Sequence, residues 1–357
     1  MGLQNQLSSA SDCTVPGFHG WRALPPDASR ADGIDRSLRA RLFDSFCHIA
    51  ECGALGDDGT AKLDLLEDRL RGSSVSPWVF CLYSKLVAEL SKDYSRGATS
   101  IVADIIGAAS LPVGVEVVPF RDCTVPASWW DHFVVLFDTD SERHFDAEIP
   151  GPKNFSLCKR EVEEGLSLLR LADPPWHDEV RRLLPMVVAG SGPLDTSDMF
   201  NGASTFFFWG GSLINAEVRR SAVSIIDLLV HESSHLLLFG LSADGALLGN
   251  KGEERYSSPL RADPRPIDGI LHACFVASRV HLAMCRLLDS GYLTEKDKKR
   301  AAERRDHNAK SARVALDVLN KHAKPTERGQ SVLDALRSYW TERLCNEARV
   351  ESTRIGI

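Results

Sequence analysis

Residues 228–240 read "LLVHESSHLLLFG". Two histidines stand four residues apart, a glutamate follows the first, and apolar residues flank all three. A spacing of four returns to the same helix face after one turn, so His231 and His235 can present two imidazoles to one metal ion. Glu232 is then placed to reach water at that ion and act as a base. Upstream, Val218, Ala222, Ile225, Ile226 and Leu229 keep the helical period. The pattern predicts a long helix with Asn215 as its cap, Glu217 in its first turn and an end near Gly240. The plain alternative has the histidines bonding Ser233, Ser234 or the backbone. It leaves a buried glutamate beside two buried histidines with nothing to offset desolvation.

Outward from this helix, "ASTFFFWGGSLIN" (203–215) reads as a strand, a Gly-Gly turn and a short apolar strand, a hairpin in outline. "VGVEVVPF" (113–120), "HFVVLFDTD" (132–140) and "PMVVAGSG" (185–192) also read as strands. Helical spacing marks 36–51, 60–71, 77–93 and a stretch reaching about 110, and again 158–171 and 176–185. Another helix is predicted from Pro266, a good first-turn residue. The last sixty residues read as a charged helical pair, and the basic cluster at 298–305 as a solvated helix face. Residues 1–35 form an arm with Phe18 and Trp21 as anchors. The predicted fold is α+β and mainly helical. It has a zincin-like core in which a small sheet or hairpin precedes the long HExxH helix, with helical N- and C-terminal parts. The division is 1–110, an arm and helical subdomain; 111–290, a metal-binding catalytic core; and 291–357, a C-terminal helical pair.

A metal ion needs a third protein ligand. The chain continues past His235 as L-L-L-F-G-L-S, which is not the H-x-x-G-x-x-H of metzincins. Glu253 and Glu254 fall in a polar linker, and the helix after Pro266 holds no glutamate of the gluzincin kind. That helix offers Asp268 and His272, four apart, and later His281. His272, in the apolar setting "GILHACF", is the expected third ligand, with Asp268 as its supporting partner or competitor. His281 is expected to be a core histidine.

HESSH at 231–235 followed by YSSPLRADPRPIDGILH at 256–272 resembles the HExxH-type peptide β-hydroxylases. These are iron- and 2-oxoglutarate-dependent enzymes encoded with ribosomally made, post-translationally modified peptides. The resemblance covers about 200–285 and includes the Ser-Pro-x-Arg and Arg-Pro elements. It implies an Fe(II) site on His231, His235 and His272 and a precursor peptide as substrate. Three protein ligands leave three iron positions open, two for the keto acid and one for O₂. The distal carboxylate of 2-oxoglutarate needs a cation, best a forked guanidinium. Arg261 and Arg265 stand just before the His272 helix, and Arg255 is near; Tyr256 can add a hydroxyl. Either arginine could instead pair with Asp263 or Glu254. Most such oxygenases use two histidines and a carboxylate, and three imidazoles equally suit zinc. The alternative is therefore a zinc peptidase with Glu232 as general base. A third class is a non-catalytic peptide-binding partner with a structural metal.

Composition agrees with an ordinary globular chain: 43% hydrophobic and 25% charged over 357 residues. A net charge of −7 argues against nucleic acid or an anionic membrane as a bulk partner. No apolar run near 20 residues is evident, and "MGLQNQLSSASDC" lacks the basic and apolar regions of a secretory signal. Nine scattered cysteines without a C-x-x-C suggest reduced thiols and a cytoplasmic location.

Overall fold

A computed structural model shows a mainly helical chain with one small four-stranded sheet. It describes residues 23–55, 60, 62–72, 74–92, 97–137, 147–192, 200–258 and 263–355, with side chains through 345. Most of the N-terminal arm, with Phe18 and Trp21, and the arginine at 261 lie outside the described residues.

Before residue 110 the described residues are mainly helical: α1 (Ala28–Glu51), which starts eight residues ahead of the expected 36 and takes in the end of the expected arm, α2 (Leu63–Arg71), α3 (Trp78–Leu90) and α4 (Ala98–Ala109). Asp27 caps α1, its carboxylate accepting the Ser29 and Arg30 N–H groups at 3.0 and 3.1 Å. Then come β1 (Glu116–Pro119) and α5 (Ala127–Phe137). The strand expected over 132–140 is wrong for its described part: residues 132–137 are helical. Strand propensity there reflects β-branched and aromatic content, but Trp129, Trp130, Phe133 and Phe137 fall on one helical stripe, and all four are buried. The Trp130 ring meets Trp78 of α3 edge-on, with centroids 4.7 Å apart.

Two prolines start helices in the next segment, α6 (Pro152–Ala172) and α7 (Pro174–Leu183). The sheet is completed by β2 (Met186–Gly190), β3 (Gly202–Ala203) and β4 (Gly211–Asn215). Strand order is β1-β2-β4-β3; the first three are parallel and β3 is an antiparallel edge. Every residue of β2 and β4 is buried, as expected of central parallel strands covered on both faces. The hairpin expected over 203–215 is looser than its sequence suggests. Only 202–203 and 213–214 take part in the β3–β4 pairing, and a 3-10 turn at Phe206–Phe208 lies between them. Gly210 turns the chain at φ +93°, a conformation that favours glycine.

The motif helix, α8, spans Ala222–Leu241. Its cap is Ser221, whose hydroxyl accepts the Ser224 N–H at 3.3 Å. The expected cap was six residues early: Asn215 ends β4, and its side-chain oxygen accepts the Glu217 N–H at 2.9 Å in a turn ahead of the helix. Asn215 competes for backbone donors as asparagine does in turns, and the strand pairing of β4 extends to it. Next come α9 (Ile267–Asp289), beginning directly after Pro266, α10 (Glu295–His322) and α11 (Glu327–Ile355).

Both α8 and α9 are, by length and composition, long and apolar enough to cross a membrane, contrary to the expectation that no such stretch exists. Within the chain, 67% and 78% of their most apolar windows are buried, which is how core helices come to look alike. One cluster of buried side chains runs from Ala23 to Trp340. All eight described cysteines are free thiols.

Candidate metal centre

His231 and His235 project from one face of α8, as the four-residue spacing requires, and His272 faces them from the first turns of α9. The Nε2 atoms of His231 and His235 are 3.2 Å apart. The Nδ1 atoms of His235 and His272 are also 3.2 Å apart. Phe239, one turn beyond His235, covers the His272 ring at 4.9 Å between centroids. All three histidines are half-buried.

Burial pushes His231 and His272 down to about 4. It also holds His235 well below its ordinary value, with the two neighbouring histidines adding to the effect. At neutral pH each ring is therefore uncharged and keeps one lone pair for a metal. Two nitrogens about 2.1 Å from a shared ion lie roughly 3 Å apart at a right angle, so either 3.2 Å gap matches a pair of ligands. The four nitrogens of these two contacts do not meet at one point, because His235 turns Nε2 to one neighbour and Nδ1 to the other. Accordingly, among the described residues no three His, Cys, Asp or Glu side chains are set as they stand to hold an ion. The donor chemistry suits a divalent transition metal, and side-chain rotation of His235 or His272 is needed for a common focus.

Glu232 leaves the histidine face and points to the sheet. It is 2% exposed. Ser204, just past β3, donates its hydroxyl to Oε2 at 2.7 Å. A Cβ placed on Gly202 would lie 2.5 Å from Oε1 and 2.9 Å from Leu228 Cδ1, so the missing side chain at 202 is what lets the carboxyl rest on the edge strand. Burial pushes Glu232 up to about 7, against the opposing pull of the Ser204 hydrogen bond and the Arg220 guanidinium.

The other residues singled out from sequence are dispersed. Arg265 pairs with Asp263, Nε to Oδ2 at 2.7 Å. Its backbone bridges to Tyr256 through two 2.8 Å hydrogen bonds that close the 256–265 loop. The Tyr256 hydroxyl donates to Glu254 at 2.6 Å. Asp268 and Glu253 are exposed, and Arg255 donates to the Gly252 carbonyl. Buried His281 meets the Tyr339 hydroxyl at 2.6 Å, the core role expected of it.

Sequence reasoning missed Asp227. It lies one turn before His231 in the series 227, 231, 235, and pairs with Arg304 of α10 at 3.1 Å. The four-residue spacing was a legible signal for it. Ser204 and Gly202 carried none, since their contact with Glu232 is made across the fold. No protein-family profile matches the chain, and no curated protein matches it.

Proposed function

We propose that the chain is an Fe(II)- and 2-oxoglutarate-dependent oxygenase that hydroxylates a β-carbon, of a His or Asp side chain, in a ribosomally made precursor peptide. The observation that carries this reading is the approach of three uncharged histidines from two helices, in contacts of 3.2 Å. His231, His235 and His272 would hold the iron. Bound there with 2-oxoglutarate, iron supplies the oxidising power for a C–H bond: O₂ and the keto acid become succinate and CO₂, and one oxygen enters the peptide. Phe239 and the half-buried histidines exclude part of the bulk water from the centre. Arg261 or Arg265 would hold the distal carboxylate of the keto acid, Arg265 by exchanging Asp263 for it.

The HExxH helix, the sheet and the antiparallel edge strand β3 beside Glu232 support a zincin-like core. An extended peptide could add to that edge, where backbone donors and acceptors are presented. In this reading Glu232 fixes α8 against the edge strand, and its link to Ser204 favours that task. The setting expected is natural-product biosynthesis in a cytoplasm, where thiols stay reduced.

One observation favours a zinc peptidase instead. Burial pushes Glu232 up to about 7, the range of a general base near neutral pH, and in that reading the carboxyl would have to turn from Ser204 toward the histidine face to reach metal-bound water. Mass separates the two. A candidate peptide incubated with protein, Fe(II), ascorbate and 2-oxoglutarate should gain one oxygen with matched succinate, and no cleavage. Cleavage with zinc alone would establish the peptidase.

A further inference from the structure

Arg279 is wholly buried in the middle of α9, at 0% exposure. Its Nε donates to the Ser234 hydroxyl at 2.9 Å. One terminal nitrogen donates to the carbonyls of Ala23 and Leu24 at 3.0 and 2.7 Å. The other pairs with Glu179 of α7. The guanidinium lies over the Trp176 ring, 4.5 Å from its centroid. Glu179 is equally buried and also takes the Arg30 guanidinium and the Asp27 N–H, at 2.6 and 3.0 Å.

Ser234 belongs to the motif itself, immediately before His235. Its hydroxyl donates to the Val230 carbonyl at 2.6 Å and accepts from Arg279. Arg279 follows His272 by seven residues, two turns along one face of α9. The two core helices are thus joined at two levels, His235 to His272 and Ser234 to Arg279. A buried ion pair incurs a desolvation cost that packed apolar residues would not, so bulk stability alone is a weak reason for it. What the rigid fork of arginine adds is registry between the elements it bridges.

We infer that Arg279 is a positioning residue for the three-histidine centre. By holding Ser234, it sets how α9 presents His272 to His231 and His235, and it ties that geometry to the docked chain at Ala23 and Leu24. The inference rests on the metal reading above.

The test uses full-length, metal-free protein and Co(II), followed by visible absorption, with thermal midpoints from circular dichroism. Wild type is compared with Ser234→Ala, Arg279→Lys and Trp340→Phe. The last removes the Trp340 Nε1 hydrogen bond to Ser278, 2.9 Å long, next door on α9 but outside the network. Ser234→Ala and Arg279→Lys are expected to weaken Co(II) binding about tenfold or more and to alter its spectrum. Trp340→Phe is expected to lower the thermal midpoint while Co(II) affinity stays within about twofold of wild type. If Arg279→Lys does not fold, Ser234→Ala decides. Wild-type affinity in Ser234→Ala would overturn the positioning role and leave the metal reading standing. Affinity that merely follows the thermal midpoint in all three variants would also overturn it. Wild type that binds no Co(II) would remove the metal reading and this inference together.

Discussion

His235 of α8 and His272 of α9, 37 residues apart in sequence, face each other Nδ1 to Nδ1 at 3.2 Å. That contact joins the HExxH helix to the next core helix at the level of the candidate metal. Replacing His272 by alanine is expected to cost more metal affinity than the roughly 100-fold that a supporting residue can cost. His231→Ala and His235→Ala should do the same, while His281→Ala leaves metal content intact. Metal analysis after dialysis against a weak chelator reads the difference. Unchanged metal in His272→Ala would transfer the third-ligand role to Asp268 or Glu254.

Gly202 and Glu232 are in contact between β3 and α8. In Gly202→Ala the new methyl would meet Oε1 at 2.5 Å and Leu228 Cδ1 at 2.9 Å, so the ends of the Glu232 and Leu228 side chains must shift and the carboxyl must leave its seat on the edge strand. A loss of about 1–3 kcal/mol is expected, as for overpacking elsewhere. Urea unfolding measures it; a variant as stable as wild type would show that the seat of Glu232 on the edge strand contributes nothing to stability.

Glu232→Gln separates two roles by activity. The amide keeps the size of the side chain and can still accept from Ser204. Hydroxylation is therefore expected to weaken by about tenfold or less, whereas a peptidase losing its base would fall by about 10²–10⁴-fold. Turnover of one peptide by both proteins decides.

His281 contributes to the pH dependence of stability away from the metal, as does His132, which burial also pushes down to about 4. Burial pushes His281 down to about 4 from 6.5, with arginines 343, 305 and 313 adding to the effect. Between those values the unfolded chain binds a proton that the folded chain does not. Stability contributed by the neutral ring is then present above pH 6.5 and is lost as pH falls toward 4. From pH 7 to 5 this amounts to about 2 kcal/mol. Urea unfolding of wild type and His281→Gln at both pH values should show the variant losing about that much less. Equal losses would place the titration elsewhere.

The pattern of what sequence revealed follows the range of each interaction. The motif helix and His272 were legible because a four-residue spacing and an apolar setting are local signals. The strand expected over 132–140 failed because residue type outweighed period, although Trp129, Trp130, Phe133 and Phe137 already spelled a helical stripe. Arg265 was legible both as an anion ligand and as a partner of Asp263, and it pairs with Asp263, two residues away. Arg279 falls within the helix predicted from Pro266, and its partner Glu179 is 100 residues distant. A charge in the middle of a buried helix was the only local hint. The Ser204 contact with Glu232 depends on sheet order, which no local pattern encodes.

The most direct test of the central claim is an anaerobic titration of metal-free protein with Fe(II) and then 2-oxoglutarate, followed in the visible range. A charge-transfer band between iron and keto acid is expected, saturating at one iron per chain and absent in His235→Ala. No band, together with tight zinc retention and cleavage of a peptide, would contradict it.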